Sequence, residues 1–176
     1  MDTVTDAKPF PYTLPELDLG APLDRHRAVV KPEWIDGNGH MNVGYYVIAF
    51  DFATDTFSEQ LGVSWPYTRN KIGMTFVLEA HVTYDREVAE GDPLRITTQI
   101  LDYDNKRVHM FHHMHHGSEG WVSATNELML MNIDYETRRA SPWPAESMRR
   151  LEAMAAAHRH LPRPRQAGRV IGIRRT

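Results

Sequence analysis

A stretch with the period of a helix, followed at once by a series of stretches with the period of a strand, constrains this chain more than any other feature. From Asn42 to Leu61 the residues Tyr46, Ala49, Phe50, Ala53, Phe57 and Leu61 fall on one stripe, and Asp51, Asp55, Ser58 and Glu59 fall opposite. Asn42 suits the N-cap and Gly62 the C-terminal stop. Residues 72–84 then alternate, with Met74, Phe76, Leu78, Ala80, Val82 and Tyr84 on one face. Further strands are expected over 94–103, 106–116 and 121–134, separated by turn chemistry at Glu90-Gly-Asp-Pro93, Asp104-Asn105 and His116–Gly120. Connections this short exclude parallel crossovers, so the four strands are expected to form an antiparallel meander. A first strand over 25–31 and a short amphipathic helix after Pro144, running to about His160, complete the pattern. The fold class expected is α+β: one long central helix wrapped by an antiparallel sheet of about five strands, plus a short C-terminal helix.

With 176 residues and 41% hydrophobic content, the chain has material for one core. The expected division is an extended N-terminal arm at 1–22, punctuated by Pro9, Pro11, Pro15 and Pro22, a main domain at 23–140, and a C-terminal helix and basic tail at 141–176. Lys and Arg number 20 against 23 Asp and Glu, for a net charge of -3, so no global field draws the protein to nucleic acid or to an anionic membrane. The absence of cysteine removes disulfides, thiolate metal sites and cysteine nucleophiles. No secretory leader or long apolar run is visible, so a soluble cytoplasmic protein is expected. Val47, Ile48 and Phe52 lie off the helical stripe and ask for cover by a second copy, giving a homodimer or a dimer of dimers.

The segment before the helix reads Asp36-Gly-Asn-Gly-His-Met-Asn42 and is followed by Tyr45-Tyr46. It resembles the Asp-x-x-Gly-His-Val/Met-Asn-x-x-x-Tyr signature of the 4-hydroxybenzoyl-CoA thioesterase-like branch of hotdog acyl-CoA thioesterases. The order of elements agrees over about residues 25–134. Within that branch, Pro32–Asn42, Ala53-Thr54-Asp55, Thr97-Thr98-Gln99, Lys106–His112 and Gly168–Ile173 look most like betainyl-CoA thioesterases, whose domain stands alone or is fused to an L-carnitine dehydrogenase. The resemblance implies hydrolysis of an acyl-CoA to acid and CoA, betainyl-CoA to betaine first among the substrates, with no metal and no cofactor. It implies that Asp36 acts as a nucleophile or as a general base. Another short or aromatic acyl-CoA, or acyl-CoA binding without turnover, remains as the alternative.

The loop residues suit that chemistry on their own terms. Thioester hydrolysis needs a base or nucleophile and donors aimed at the developing oxyanion. Asp36 supplies the first, and the backbone amides of Val43 and Gly44, unpaired at a helix start, supply the second. An Asp-Gly pair is also a common turn. His40 and Asn42 either position the loop or contact the thioester, and a packed His and an N-capping Asn explain them equally well. In the histidine run, His109, His113 and His115 share one strand face while His112 and His116 share the other. Without a cysteine or an acid in the run, these read as solvated or interface side chains rather than metal ligands.

A trimethylammonium acyl end is held by aromatic faces and a nearby carboxylate. Trp34, two residues from Asp36, is the first candidate, followed by Tyr45, Tyr46 and Phe76, with Trp65 and Tyr67 further off. CoA phosphates want basic residues at a rim, which points to Lys106 and Arg107 at a hairpin tip, or to Arg69, Lys71 and the arginine tail.

Overall fold

Helix α1 runs Val43–Leu61 and is bounded as its sequence requires. The Asn42 side chain accepts the Gly44 N–H at 2.9 Å, and Gly62 ends the helix in the left-handed region at φ 78°. The molecule is a computed structural model describing residues 10–173; what the sequence suggests for residues 1–9 of the arm and 174–176 of the tail lies outside that range. Strands β1 (Leu23–Val29), β2 (Gly73–Tyr84), β3 (Pro93–Tyr103), β4 (Arg107–His116) and β5 (Val122–Asp134) form one antiparallel sheet that wraps α1, and helix α3 spans Ala145–His158. This is the hotdog arrangement. A 3₁₀ turn at Pro32–Trp34 and a short helix α2 at Trp65–Arg69 add to what the sequence suggests.

The α1 stripe is buried as its period dictates, and Val47, Ile48 and Phe52 stay exposed. Around the helix N-terminus, Trp34, Met41, Tyr46 and Phe50 pack with Leu94, Ile96, Met114 and Ala124. Around its C-terminus, Phe57 and Leu61 pack with Ile100, Met110, Leu128, Leu130 and the α3 residues Leu151 and Met154. Phe10, Tyr12 and Leu17 of the arm rest on this second cluster, and the Tyr12 hydroxyl donates to the Gly62 carbonyl at 2.6 Å. Between the two clusters His112 faces the helix, while His109, His113 and His115 face away, as strand parity requires.

Two local expectations do not hold. The strand order is β1-β3-β4-β5-β2, so only β3, β4 and β5 form a meander, and β2 pairs with β5 at the far edge. Residues 85–92 do not turn back as a hairpin but cross the end of the sheet. Asp85 and Arg86 donate to the Ser123 carbonyl at 2.8 and 3.0 Å, Met41 donates to Val88 at 2.9 Å, and Val30 donates to Asp92 at 3.0 Å. At about 3.3 Å per residue this segment reaches about 26 Å, against about 14 Å for three strand spacings, so the crossing is unstrained. The second departure is a β-bulge at Leu78, where the register shifts between Val77↔Leu130 and Glu79↔Met129. The extra residue flips the first half of β2 relative to the second. Ala80, Val82 and Tyr84 look toward α1, while Phe76, opposite Met131, looks away and is 61% exposed. Within the described residues the tail adds no edge strand. No helix among them is long and apolar enough to cross a membrane.

Candidate active site

The Asp36 loop is pinned at its base by an isolated bridge between Ile35 and Met41. Inside it the Asp36 N–H donates to the His40 carbonyl at 3.1 Å, and the Gly39 N–H donates to the Asp36 carbonyl at 3.0 Å. Gly39 has φ 84°, a left-handed conformation that a residue with a Cβ enters only at a cost, so this glycine is needed for the turn. The carboxylate of Asp36 accepts the Asn38 N–H at 2.8 Å and the Asn42 side-chain amide at 3.3 Å. The Asn38 N–H is the main cause holding this carboxyl below its ordinary pKa. Asn42 and the nearby His40 add to the effect, and partial desolvation opposes it. Asp36 is therefore an anion at neutral pH.

Asn42 ties that anion to the helix. Its backbone N–H donates to the Trp34 carbonyl at 2.8 Å, its side-chain oxygen caps Gly44, and its side-chain nitrogen reaches Asp36. Capping and contact with the carboxylate thus coexist in one residue. The cap also engages the Gly44 amide, whereas the Val43 amide donates to no group among the described residues. His40 lies in the same loop, its Nε2 3.9 Å from the Glu87 carboxylate.

Asp36, His40, Val43 and Tyr46 line a cleft of about 470 Å³ whose other wall is Tyr84, Asp85, Arg86 and Glu87. Tyr46 and Tyr84 meet edge to face, ring centroids 5.2 Å apart. The Arg86 guanidinium lies 3.9 Å from the Trp121 ring centroid and is engaged there, while the Asp85 carboxylate accepts from the Gln166 side-chain amide at 3.4 Å. The Tyr84–Glu87 wall is what sequence reasoning missed, because a hairpin would have carried these residues away from α1. The signal present was Val88, a lone apolar residue in a polar connection, which is buried.

The other sequence candidates do not gather here. Trp34 is 5% exposed, stacked on Tyr45 at 5.5 Å with the Lys31 ammonium 5.5 Å from its centroid, and lies outside the cleft lining. The 3₁₀ turn points it into the core, so Trp34 and Tyr45 occupy each other. Phe76 lies eight positions before Tyr84 on β2, about 26 Å away, and on the opposite sheet face. Lys106 and Arg107 sit at the β3–β4 turn, the length of β3 from the cleft, where the Asp104 carboxylate accepts the Lys106 N–H at 2.9 Å and two Arg107 guanidinium N–H groups at 2.9 and 2.6 Å. Trp65, Tyr67, Arg69 and Lys71 lie past the far end of α1, about 28 Å from its start. Among the described residues no three His, Asp or Glu side chains converge as a metal site.

Comparison with known proteins agrees with this architecture. Residues 30–151 match the model of the Thioesterase-like superfamily. The chain is 37% identical over 152 residues to the betainyl-CoA thioesterase of Pseudomonas aeruginosa, covering 86% of this chain and 95% of that one. It is 34% identical to an L-carnitine dehydrogenase/betainyl-CoA thioesterase of Rhizobium meliloti, matching 90% of this chain but 32% of that longer protein. Among solved structures, a Staphylococcus aureus protein characterised in complex with CoA superposes with a TM-score of 0.80 at 32% identity, over 88% of this chain and 99% of that one. A putative thioesterase of Pseudomonas putida gives 0.76 at 30% identity, over 88% and 98%. The chain belongs to the thioesterase-like superfamily and is a thioester hydrolase of the hotdog fold.

Proposed function

We propose that the protein hydrolyses acyl-CoA thioesters, with betainyl-CoA as its substrate and betaine and CoA as products. The observation that carries this reading is the ionised Asp36 just before α1, held by two hydrogen bonds in a cleft that Val43, whose amide is open, also lines. The similarity to a betainyl-CoA thioesterase over nearly its whole length supports the choice of acyl group.

A carboxylate held below its ordinary pKa is a weak proton acceptor yet is always ionised, which suits a nucleophile better than a general base. In the route we favour, an Asp36 oxygen attacks the acyl carbon, the carbon–sulfur bond breaks, and CoA leaves as thiolate. Water then cleaves the resulting mixed anhydride, restoring the carboxylate and giving betaine. The Val43 N–H is the oxyanion donor in this route. The Gly44 amide is committed to the Asn42 cap, so Asn42 and His40 act by holding the loop.

The cation of the acyl group is read by the wall that the crossing segment builds. Tyr84, with Tyr46 behind it, presents an aromatic surface, and Asp36 and Glu87 supply negative charge with Arg86 turned onto Trp121. Tyr84 takes the place that the sequence suggests for Trp34. Exposed Val43, Val47, Ile48 and Phe52 on α1, together with the unpaired outer edge of β2, fit a homodimer in which a second copy meets this edge and closes the cleft. Sedimentation at micromolar concentration tests that part, and a monomer contradicts it.

The test of function is thiol release over a panel of acyl-CoA thioesters, with betainyl-CoA set against its neutral isostere, the tert-butylacetyl thioester. A preference of about 1–3 kcal/mol, roughly five- to a hundredfold in kcat/KM, is expected for the cation and should fall in Tyr84→Leu. Equal rates remove the betainyl assignment and leave a general thioesterase. Binding without thiol release makes the protein an acyl-CoA-binding module.

A further inference from the structure

Beyond α3 the chain rounds the edge of the sheet and crosses the face turned away from α1. The Gln99 side chain on β3 donates to the Pro162 carbonyl at 3.3 Å. The Gly168 N–H donates to the Glu127 carboxylate on β5 at 2.6 Å. Val170 and Ile171 then wall a groove of about 610 Å³ with Glu79 and His81 of β2. The sheet order β3-β4-β5-β2 makes this a single path across the strands toward the unpaired edge. The segment arrives there with its apolar groups uncovered: Val170 and Ile171 are each 87% exposed, and Ile173 is 89% exposed. Three such side chains leaving the body together require cover that their own chain does not give.

The face they head toward has matching chemistry. On the same side of the sheet, β2 presents Phe76, 61% exposed, next to Met129 and Met131. Glu79 lies in the path and the arm brings Arg169 to the same groove, while Glu127 is held by Gly168 and His109. If a second copy meets the β2 edge about a two-fold axis, its own Phe76 and Glu79 continue the surface on which the segment is already travelling. We propose that residues 168–173 form an arm that crosses strand β2 and docks on the outer sheet face of a second copy of this chain, its valine and isoleucines covering the partner's Phe76. The hydrogen bond from Gly168 to Glu127 is the hinge point at which the arm leaves its own body. This inference rests on the dimer proposed above and extends it.

A photo-cross-linking residue, p-benzoylphenylalanine, placed at Ile171 or Ile173 tests it, since exposed positions tolerate the change. Heavy-isotope and light protein are unfolded and refolded together in equal amounts, sedimented, irradiated and digested. A dimer in which about half of the cross-linked peptide pairs join a heavy to a light chain, and map to β2 or the outer face of β5, is the expected result. A dimer with same-isotope cross-links alone, or with none, overturns the arm and leaves the dimer standing. A monomer by sedimentation overturns both.

Discussion

His112 is fully buried between the two halves of the core, stacked on Phe50 at 5.9 Å, and its titration should set the acid limit of the fold. Its Nδ1 is 2.9 Å from the Thr98 hydroxyl and its Nε2 is 3.0 Å from the Thr54 hydroxyl. The Thr54 hydroxyl donates to the Phe50 carbonyl at 3.0 Å, so it accepts from Nε2–H, and Nδ1 accepts from Thr98. One ring proton satisfies every partner; a second would reverse the Thr98 bond and oblige that buried hydroxyl to find another acceptor. Burial is the main cause that pushes the imidazole from 6.5 down to about 3, with His26 and His113 adding. The unfolded chain takes up a proton below about pH 6.5 while the folded one resists until about pH 3. The stability from this residue is therefore fully present above that upper value and lost as pH falls toward the lower one. The loss, RT ln(1 + 10^(6.5 − pH)), is about 2 kcal/mol at pH 5 and about 3 kcal/mol at pH 4. His112→Phe keeps the ring stack and removes the titration. Losing the hydroxyl bonds should cost about 1–3 kcal/mol at pH 7, yet between pH 7 and pH 5 the variant should lose about 2 kcal/mol less than the native chain. Urea unfolding followed by circular dichroism, at one protein concentration and at both pH values, reads this difference. Equal losses in the two proteins would refute the reasoning.

Three further outcomes are expected. Asn42→Ala removes the cap and a partner of Asp36, so it should cost about 1 kcal/mol of stability and move the acid limb of kcat/KM to higher pH; an unmoved limb separates Asn42 from the carboxylate. Hydroxylamine added during turnover should intercept the anhydride at one of its two carbonyls, giving Asp36 hydroxamate in the loop peptide or acyl hydroxamate in solution by mass spectrometry, and the absence of both above the uncatalysed reaction of hydroxylamine with the thioester removes the anhydride route. Phe57→Ala, at a fully buried position on the α1 stripe, should cost about 3–5 kcal/mol in urea unfolding, and a loss below about 1 kcal/mol would contradict the packing described.

What could be read from the sequence was what is decided locally. The Asn42 cap, the Gly62 stop and the buried stripe of α1 depend on neighbours three or four residues away, and strand alternation depends on neighbours two away. Partner choice is not local: the short connection suggests β3 as the neighbour of β2, whereas β2 pairs with β5. That one difference conceals the Tyr84–Glu87 wall, because only a crossing segment passes the helix start. The Leu78 bulge left a trace, the consecutive apolar Phe76-Val77-Leu78 that breaks alternation, but period alone does not say on which side the extra residue falls. Trp34 is the converse case: two residues from Asp36 in sequence, it is turned into the core by backbone that closes a 3₁₀ turn. Asp36 itself was legible because a glycine-bearing loop, a capping asparagine and an apolar helix occur together in one short run.

Thiol release from betainyl-CoA by Asp36→Asn, measured beside the native protein with thermal unfolding as a control, bears most directly on the catalytic assignment. The substitution keeps the size of the side chain in a loop whose carboxylate is partly solvated, so the melting curve should be nearly unchanged. Turnover should fall by about 10²–10⁴-fold, the range for loss of a group that works in the transition state. A folded Asp36→Asn protein that releases CoA at close to the native rate would contradict the assignment.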